Sequence, residues 1–282
     1  TIFFKNLKCE NLILTMPDLG NLYIKKSALC KNYIYMFHTI VSTNIIYNDN
    51  SFQNYDYIFC SAKHHFEELK KKKYSSNLIK IGYSKIDELA KTDIKSIKST
   101  NINNILIAPT WGKKNIINTC IEELIEILSN NNFNITLRPH PISITQDTKI
   151  ISKILLKFKD RSNFKISKSS NNIEDYKNNF LIISDWSGAA LEFSLALERP
   201  AVFIDMPQKI INKKIIQNSI ELKNSFENWV RFELGEVIHY QDILKIILKI
   251  KKIQHDTDHY IEKIQSIKYQ YIYNLGKSDE VA

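Results

Sequence analysis

Short apolar runs alternate with amphipathic stretches of about ten residues along most of the 282-residue chain. That alternation restricts the chain to an α/β fold with parallel sheets. Residues 11–15, 33–37, 55–60 and 78–81 read as strands in the first part, with a helix predicted over 61–73. In the second part, strands are predicted over 105–108, 133–137, 164–167, 180–184 and 201–204. The helices between and after them are predicted over 116–128, 150–158, 187–197, 241–253 and 258–273. Ile117, Ile121, Leu124, Ile125 and Leu128 recur at helical spacing. Between the two parts, residues 91–104 are rich in Lys, Ser, Thr and Asn with little periodicity, and read as a linker. The expected layout is therefore a domain over 1–97, a second over 98–253 and a C-terminal helix over 254–282. Each domain would be Rossmann-like, the two facing each other across a cleft.

Composition narrows the classes further. Hydrophobic residues make up 44% and charged residues 24%, close to the values of soluble globular chains and far from those of disordered ones. Four Cys without a CxxC pair make neither a disulfide framework nor a zinc ribbon, and fit a reducing cytoplasm. No apolar run reaches the roughly 18–20 residues that span a bilayer. The chain starts at Thr1 without a signal-peptide layout, and an N-terminal piece is expected to be missing or processed. The net charge of +9 favours anionic partners: nucleotide phosphates, lipid headgroups or nucleic acid. A chain rich in Lys, Ile and Asn acquires such a charge equally from a low-GC genome.

Chemistry in a parallel sheet collects beyond the carboxyl ends of its strands. Three unusual segments fall there. Pro139 and Pro141 fix the backbone on both sides of His140, and a held His beside Arg138 suits a diphosphate; a merely rigid turn is the alternative. Ser187 is a natural N-cap and Gly188 lets a ligand approach the backbone, so the helix start makes an anion site. Glu192 lies on the same helix face, one turn on, within reach of ribose hydroxyls; an ordinary capped helix is the alternative. Thr110 could bond a phosphate and Lys113 or Lys114 neutralise it, or Trp111 could simply pack. In the first part, His38 ends a strand and is placed to act as a general base, or is structural. His64 and His65, at a helix start, read as surface or packing residues.

Taken in order, these residues resemble the CDP-glycerol glycerophosphotransferases of bacterial teichoic-acid and capsule assembly, which have a GT-B fold. The resemblance covers roughly residues 33–240. It rests on His38 after a strand, on residues 54–58 followed by Ser61, on Gly82 with Asp87, and on residues 105–111, 138–141 and 184–192 followed by Arg199 and Pro200. It implies an acceptor-side first domain and a second domain that binds a CDP-linked donor. His140 would contact the donor diphosphate, Ser184, Asp185, Ser187 and Gly188 would lie against it, and Glu192 would meet the ribose. His38 would be the base. No metal or other cofactor is expected, because fixed cations and amides stabilise the phosphate charge. Thr39 stands where the family usually has Gly, and Gly112 where an Arg commonly follows the Trp.

The resulting expectation is a transferase that moves a glycerophosphate-like group from a CDP-activated donor to a hydroxyl of a glycan or lipid-linked acceptor. His140, Lys113 and the Ser187–Gly188 amides would hold the charge on departing CMP. A GT-B glycosyltransferase using an NDP- or CMP-sugar is the close alternative, with the related UDP-sugar 2-epimerases behind it. A catalytically dead, membrane-associated scaffold is a further class. A nucleic-acid partner is not expected, since the basic residues are spread rather than striped. The predicted location is the cytoplasm, with the basic helix over 243–253 (Lys245, Lys249, Lys251 and Lys252) on an anionic membrane surface.

Overall fold

The computed structural model describes residues 2–21, 23–74, 76–91, 101–167, 169 and 171–282. The chain forms two compact units. One comprises Thr1–Asp87, Ile210–Asn228 and Tyr269–Ala282, the other Glu88–Lys209 and Trp229–Lys268. Residues 210–228, expected within the second domain, and 269–282, expected as part of a separate C-terminal helix, group with the N-terminal part. The expected boundary at 97/98 and most of the expected linker lie outside the described residues.

The first unit carries four parallel strands in the order β1-β2-β3-β4: β1 (Cys9–Leu14), β2 (Cys30–Met36), β3 (Tyr57–Cys60) and β4 (Asn77–Lys80). An aromatic core fills one face, with Tyr35 packed edge-on to Phe37, Tyr47 and Tyr55 and tilted against Phe52. The C-terminal segment docks on this unit. Asp87 accepts from the amides of Gly276 (2.8 Å) and Ser278 (3.1 Å) and from the Ser278 hydroxyl. A Cβ on Gly82, at φ +97°, would fall 2.5 Å from the Tyr273 carbonyl oxygen, so that position tolerates only glycine. Gly82 and Asp87, two of the residues that carried the resemblance, here bind the chain's own tail.

The second unit has six parallel strands in the order β10-β9-β8-β5-β6-β7. They are β5 (Asn104–Ile107), β6 (Asn134–Leu137), β7 (Phe164–Ile166), β8 (Leu181–Ser184), β9 (Ala201–Asp205) and β10 (Gly235–His239). Counted from its own first strand this is the 3-2-1-4-5-6 order of a doubly wound Rossmann sheet. The central strands are apolar on both faces, as helices on both sides require: Ile105, Leu106, Ile107, Leu181, Ile182 and Ile183 are all buried. The helix predicted over 116–128 is two helices, Ile116–Thr119 and Ile121–Asn130, because the backbone at Cys120 leaves the helical region (φ −138°).

β10 was not predicted. It begins with a glycine and contains a glutamate, both poor strand signals. Tertiary partners remove both objections. A Cβ on Gly235 would lie 1.8 Å from the Ala201 carbonyl oxygen of β9, so the strand can approach only without one. Burial alone would raise the Glu236 carboxyl, but hydrogen bonds from Lys249 (2.7 Å), Lys252 (2.6 Å) and Tyr260 (2.6 Å) hold it down to about 2.

Candidate active site

The strand order reverses between β5 and β8, and a crevice at such a switch point is where Rossmann sheets take ligands. The two loops that leave these strands are tied together there. Ser184 donates to the Ala108 carbonyl (2.6 Å). The Asp185 carboxylate accepts from the amides of Thr110 (2.7 Å) and Ile116 (3.1 Å). Burial pushes its carboxyl up to about 6, against the pull of these amide bonds. Asp185 is 1% exposed and Ser184 is fully buried. Both were expected to lie against the donor. Their polar atoms are instead spent inside the protein, where they set the position of the Thr110 loop.

That loop is braced again by Asn115, whose amide donates to the Thr110 carbonyl (2.7 Å) and whose side-chain oxygen caps Asn118 (2.9 Å). The Thr110 hydroxyl makes no hydrogen bond among the described residues, and Lys113 is exposed beyond it. Ser187 caps the helix Gly188–Leu197, its hydroxyl accepting from the Ala189 amide at 3.3 Å. The Gly188 amide, in the first turn, has no acceptor among the described residues, as an anion site at a helix start requires. Trp186 turns away from this site: its indole donates to the Met206 carbonyl (2.6 Å) and its ring stacks under the Arg231 guanidinium, 3.6 Å away.

The helix behind Gly188 is buried on all sides after its first turn rather than along one stripe. Glu192 is therefore 4% exposed, in the electrostatic field of buried Tyr176. Arg199, just past the helix, is also fully buried. It donates to the carbonyls of Tyr176 (3.0 Å), Lys177 (2.9 Å) and Asn179, which close the helix Ile173–Asn178.

His140 sits beyond β6 as the N-cap of the helix Pro141–Gln146, with Pro141 at the first helical position. Its Nδ1 accepts from the Ile142 amide at 3.1 Å. An accepting Nδ1 places the ring proton on Nε2. Burial, then the charge of Lys209, holds the imidazole below the usual histidine range, so His140 is a neutral Nε2–H donor at pH 7. Its neighbour Arg138 is a correction to the sequence reading. Its guanidinium pairs with Asp175 at 2.6 Å and bonds Ser167 (3.2 Å) and the Ser169 carbonyl (3.1 Å). A guanidinium facing a largely buried carboxylate stays with it.

One residue of this site escaped the sequence reading. Lys209, after β9, is half-buried with its ammonium over the Trp111 ring, and Trp111 and His140 lie with ring centres 6.2 Å apart. The sequence marks Lys209 only as a lysine shortly after a buried parallel strand.

In the first unit, His38 is exposed beyond β2, and its carbonyl accepts from the Tyr83 hydroxyl (3.0 Å). The turn that follows is fixed from beneath. His64 and His65 are buried, and their Nε2 atoms lie 2.8 and 3.1 Å from the carbonyls of Ile40 and Val41. Burial lowers His64 to about 3 and His65 well below the usual range, so both donate as neutral rings. His64 stacks on Phe226 and His65 on Phe37. Glu68 accepts from the Ser42 hydroxyl (2.7 Å) and the Thr43 amide (2.7 Å), while Glu227 accepts from the Ser42 amide (3.0 Å). Burial, with Glu68 nearby, raises the Glu227 carboxyl to about 7. The structure gives the histidine pair a packing role, the second of the two expected.

Two all-parallel α/β units, one wound as a Rossmann sheet with its polar loops gathered at the switch point, make a fold of the GT-B class. The profile of the CDP-glycerol:poly(glycerophosphate) glycerophosphotransferases matches residues 38–279, and the chain belongs to that family. Among solved structures, the wall teichoic acid polymerase TagF is similar over 96% of this chain and 69% of its own, with a TM-score of 0.61 at 18% identity. The Methanocaldococcus jannaschii UDP-GlcNAc 2-epimerase is similar over 88% of this chain and 67% of its own, with a TM-score of 0.52 at 15% identity. The pneumococcal O-GlcNAc transferase GtfA covers 90% of this chain and 51% of its own, with a TM-score of 0.52 at 11% identity. At these identities the likeness is one of fold. Comparison with curated proteins finds no match.

Proposed function

We propose that the chain transfers glycerophosphate from CDP-glycerol to a hydroxyl of a glycan acceptor, as its family does. The observation that carries the reading to particular residues is the gathering of a capped helix start, a neutral His donor and a lysine at the switch point of one Rossmann sheet. The acceptor oxygen would attack the β-phosphorus, and the bond from that phosphorus to the bridging oxygen would break. CMP would leave with the electron pair, and the acceptor proton would pass to His38. His140 Nε2–H and the Gly188 amide would donate to phosphate oxygens whose charge grows in the transition state. Lys113, exposed at the loop edge, would add a screened charge. Thr110 offers its hydroxyl. Glu192, given its burial, would act on the ribose only through the helix that carries it. No metal or cofactor is part of the proposed step.

A CDP-glycerol titration tests the donor site. A ligand that binds only the folded state raises the melting temperature, by at least about 3 °C near a hundredfold excess over Kd. The expected order is CDP-glycerol and CDP above CMP, with UDP and UDP-sugars giving little. A shift confined to the uridine nucleotides would overturn the reading in favour of the sugar-transfer alternative.

The proposed place of work is the cytoplasmic face of a bacterial membrane, in teichoic-acid or capsule assembly. Among the described residues no helix is long and apolar enough to cross a membrane. Leu244 and Leu248 stand 72% and 68% exposed among Lys245, Lys251 and Lys252, the composition of a surface-lying segment. Lys249 and Lys252 pair with Glu236, and Lys245 with Asp242, which reduces the free charge. The expected result is sedimentation with vesicles containing anionic lipid at low salt, reduced several-fold in Leu244→Ser/Leu248→Ser. Full recovery in the supernatant would reject this location.

A further inference from the structure

Lys209 has the environment of a binding residue rather than of a surface lysine. The chain turns out of β9 so that its ammonium lies 2.8 Å from the centre of the Trp111 ring and 3.5 Å from the Trp111 carbonyl oxygen. Among the described residues no carboxylate forms an ion pair with it. The indole face offsets part of the cost of removing an ammonium from water. The Trp111 carbonyl takes one of the ammonium's three protons at the limit of hydrogen-bond reach, which leaves donors for an anion. Burial accordingly lowers Lys209 to about 8, with Asp185 acting in the opposite direction. The same position sets it beside His140 and beyond β9, whereas the helix start at Gly188 follows β8. The unit thus has two anion-binding loci: one built from backbone amides, the other from a lysine and a neutral imidazole.

We propose that Lys209, held on the face of Trp111, pairs with the second phosphate of a nucleoside diphosphate and makes the site prefer diphosphate over monophosphate. This rests on the donor-site reading above. It names the residue behind the expected preference for CDP over CMP: a CDP-linked donor carries both phosphates, and the CMP left after transfer carries one.

Calorimetric titration of the full chain with CDP, CMP and inorganic pyrophosphate, for the wild type, Lys209→Met and Lys209→Arg, tests it. Lys209→Met should weaken CDP and pyrophosphate about 10–100-fold, the range of a lost charge-assisted hydrogen bond, and CMP by less than about 3-fold. Lys209→Arg should stay within a few-fold of the wild type. Wild-type affinity for CDP should fall between pH 7 and 9 as the ammonium deprotonates, and Lys209→Met should be flat. The titratable neighbours do not confuse this window. Asp185 titrates near 6, His140 lies below the usual histidine range, and the second ionisation of a phosphate has its midpoint near 6 and adds ligand charge as pH rises, opposite in sign to the expected loss. Melting temperature serves as the folding control. A wild type that binds CDP, with a Lys209→Met that binds it equally or loses CMP to the same degree, would overturn the role of Lys209 and leave the donor site standing. A wild type that binds no nucleotide would overturn both.

Discussion

His140→Ala is expected to slow glycerophosphate transfer by about 10²–10³-fold, the usual effect of removing one donor from a developing phosphate charge. The side chain has two separable tasks. Nδ1 caps the helix that follows, at 3.1 Å from the Ile142 amide, and that cap is worth about 1 kcal/mol. Nε2–H is left for the donor. Asparagine is a good N-cap but too short to replace Nε2–H. His140→Asn should therefore melt like the wild type and turn over like His140→Ala. Because burial and Lys209 hold the imidazole below its ordinary range, the Nδ1 cap should persist to a pH below 6.5. On protonation Nδ1 becomes a donor and the Ile142 contact is lost. Steady-state rates and melting curves of the two variants decide the matter: His140→Asn with a near-wild-type rate would show that capping is all His140 does.

Arg199→Ala is expected to cost about 3–5 kcal/mol of stability, the largest effect of any single change considered. The guanidinium is fully buried and satisfies the carbonyls of Tyr176, Lys177 and Asn179, with its own charge held down to about 10 by burial. Its removal takes a donor from each of those carbonyls, Tyr176 keeping only the Asn179 amide at 3.4 Å, and leaves a cavity beside them. The same region anchors the far end of the Ser187-capped helix. There Glu198 takes a left-handed conformation (φ 55°) and is tied to Lys268 (2.8 Å) and Gln265 (2.7 Å). Arg199→Lys should recover only part of the loss, since an ammonium lacks the planar fork that spans several carbonyls. Denaturant unfolding measures both. A loss for Arg199→Ala below about 1 kcal/mol would mean that water replaces the guanidinium.

Much of this was written locally in the chain. The runs around Ile105 and Ile182 are apolar on both faces, so they read as buried parallel strands wherever they pair, and the run around Ile135 alternates with Asn134 and Thr136 at strand period. Pro139 and Pro141 around His140, and Ser187 before Gly188, act through their own backbones, so the rigid loop and the helix start were legible from four-residue windows. The family resemblance needed only the order of such windows.

The rest depended on partners far along the chain. Asp185 and Ser184 looked like ligand contacts because they precede an anion-binding helix. The strand order places β8 beside β5, and their polar atoms then meet residues 108–116 instead. Arg138 next to His140 looked free until Asp175 folded against it. Gly235 and Glu236 are poor strand residues that fit β10 only through β9, Lys249, Lys252 and Tyr260. Lys209 was one of many lysines until Trp111 came beneath it. Backbone preference and apolar periodicity act over a few residues, and the sequence alone determined what they control: strands, caps and rigid loops. Whether a charged side chain faces ligand or protein is decided by which opposite charge or carbonyl reaches it first, and only the tertiary structure, by setting strand order, brought those partners within 3 Å.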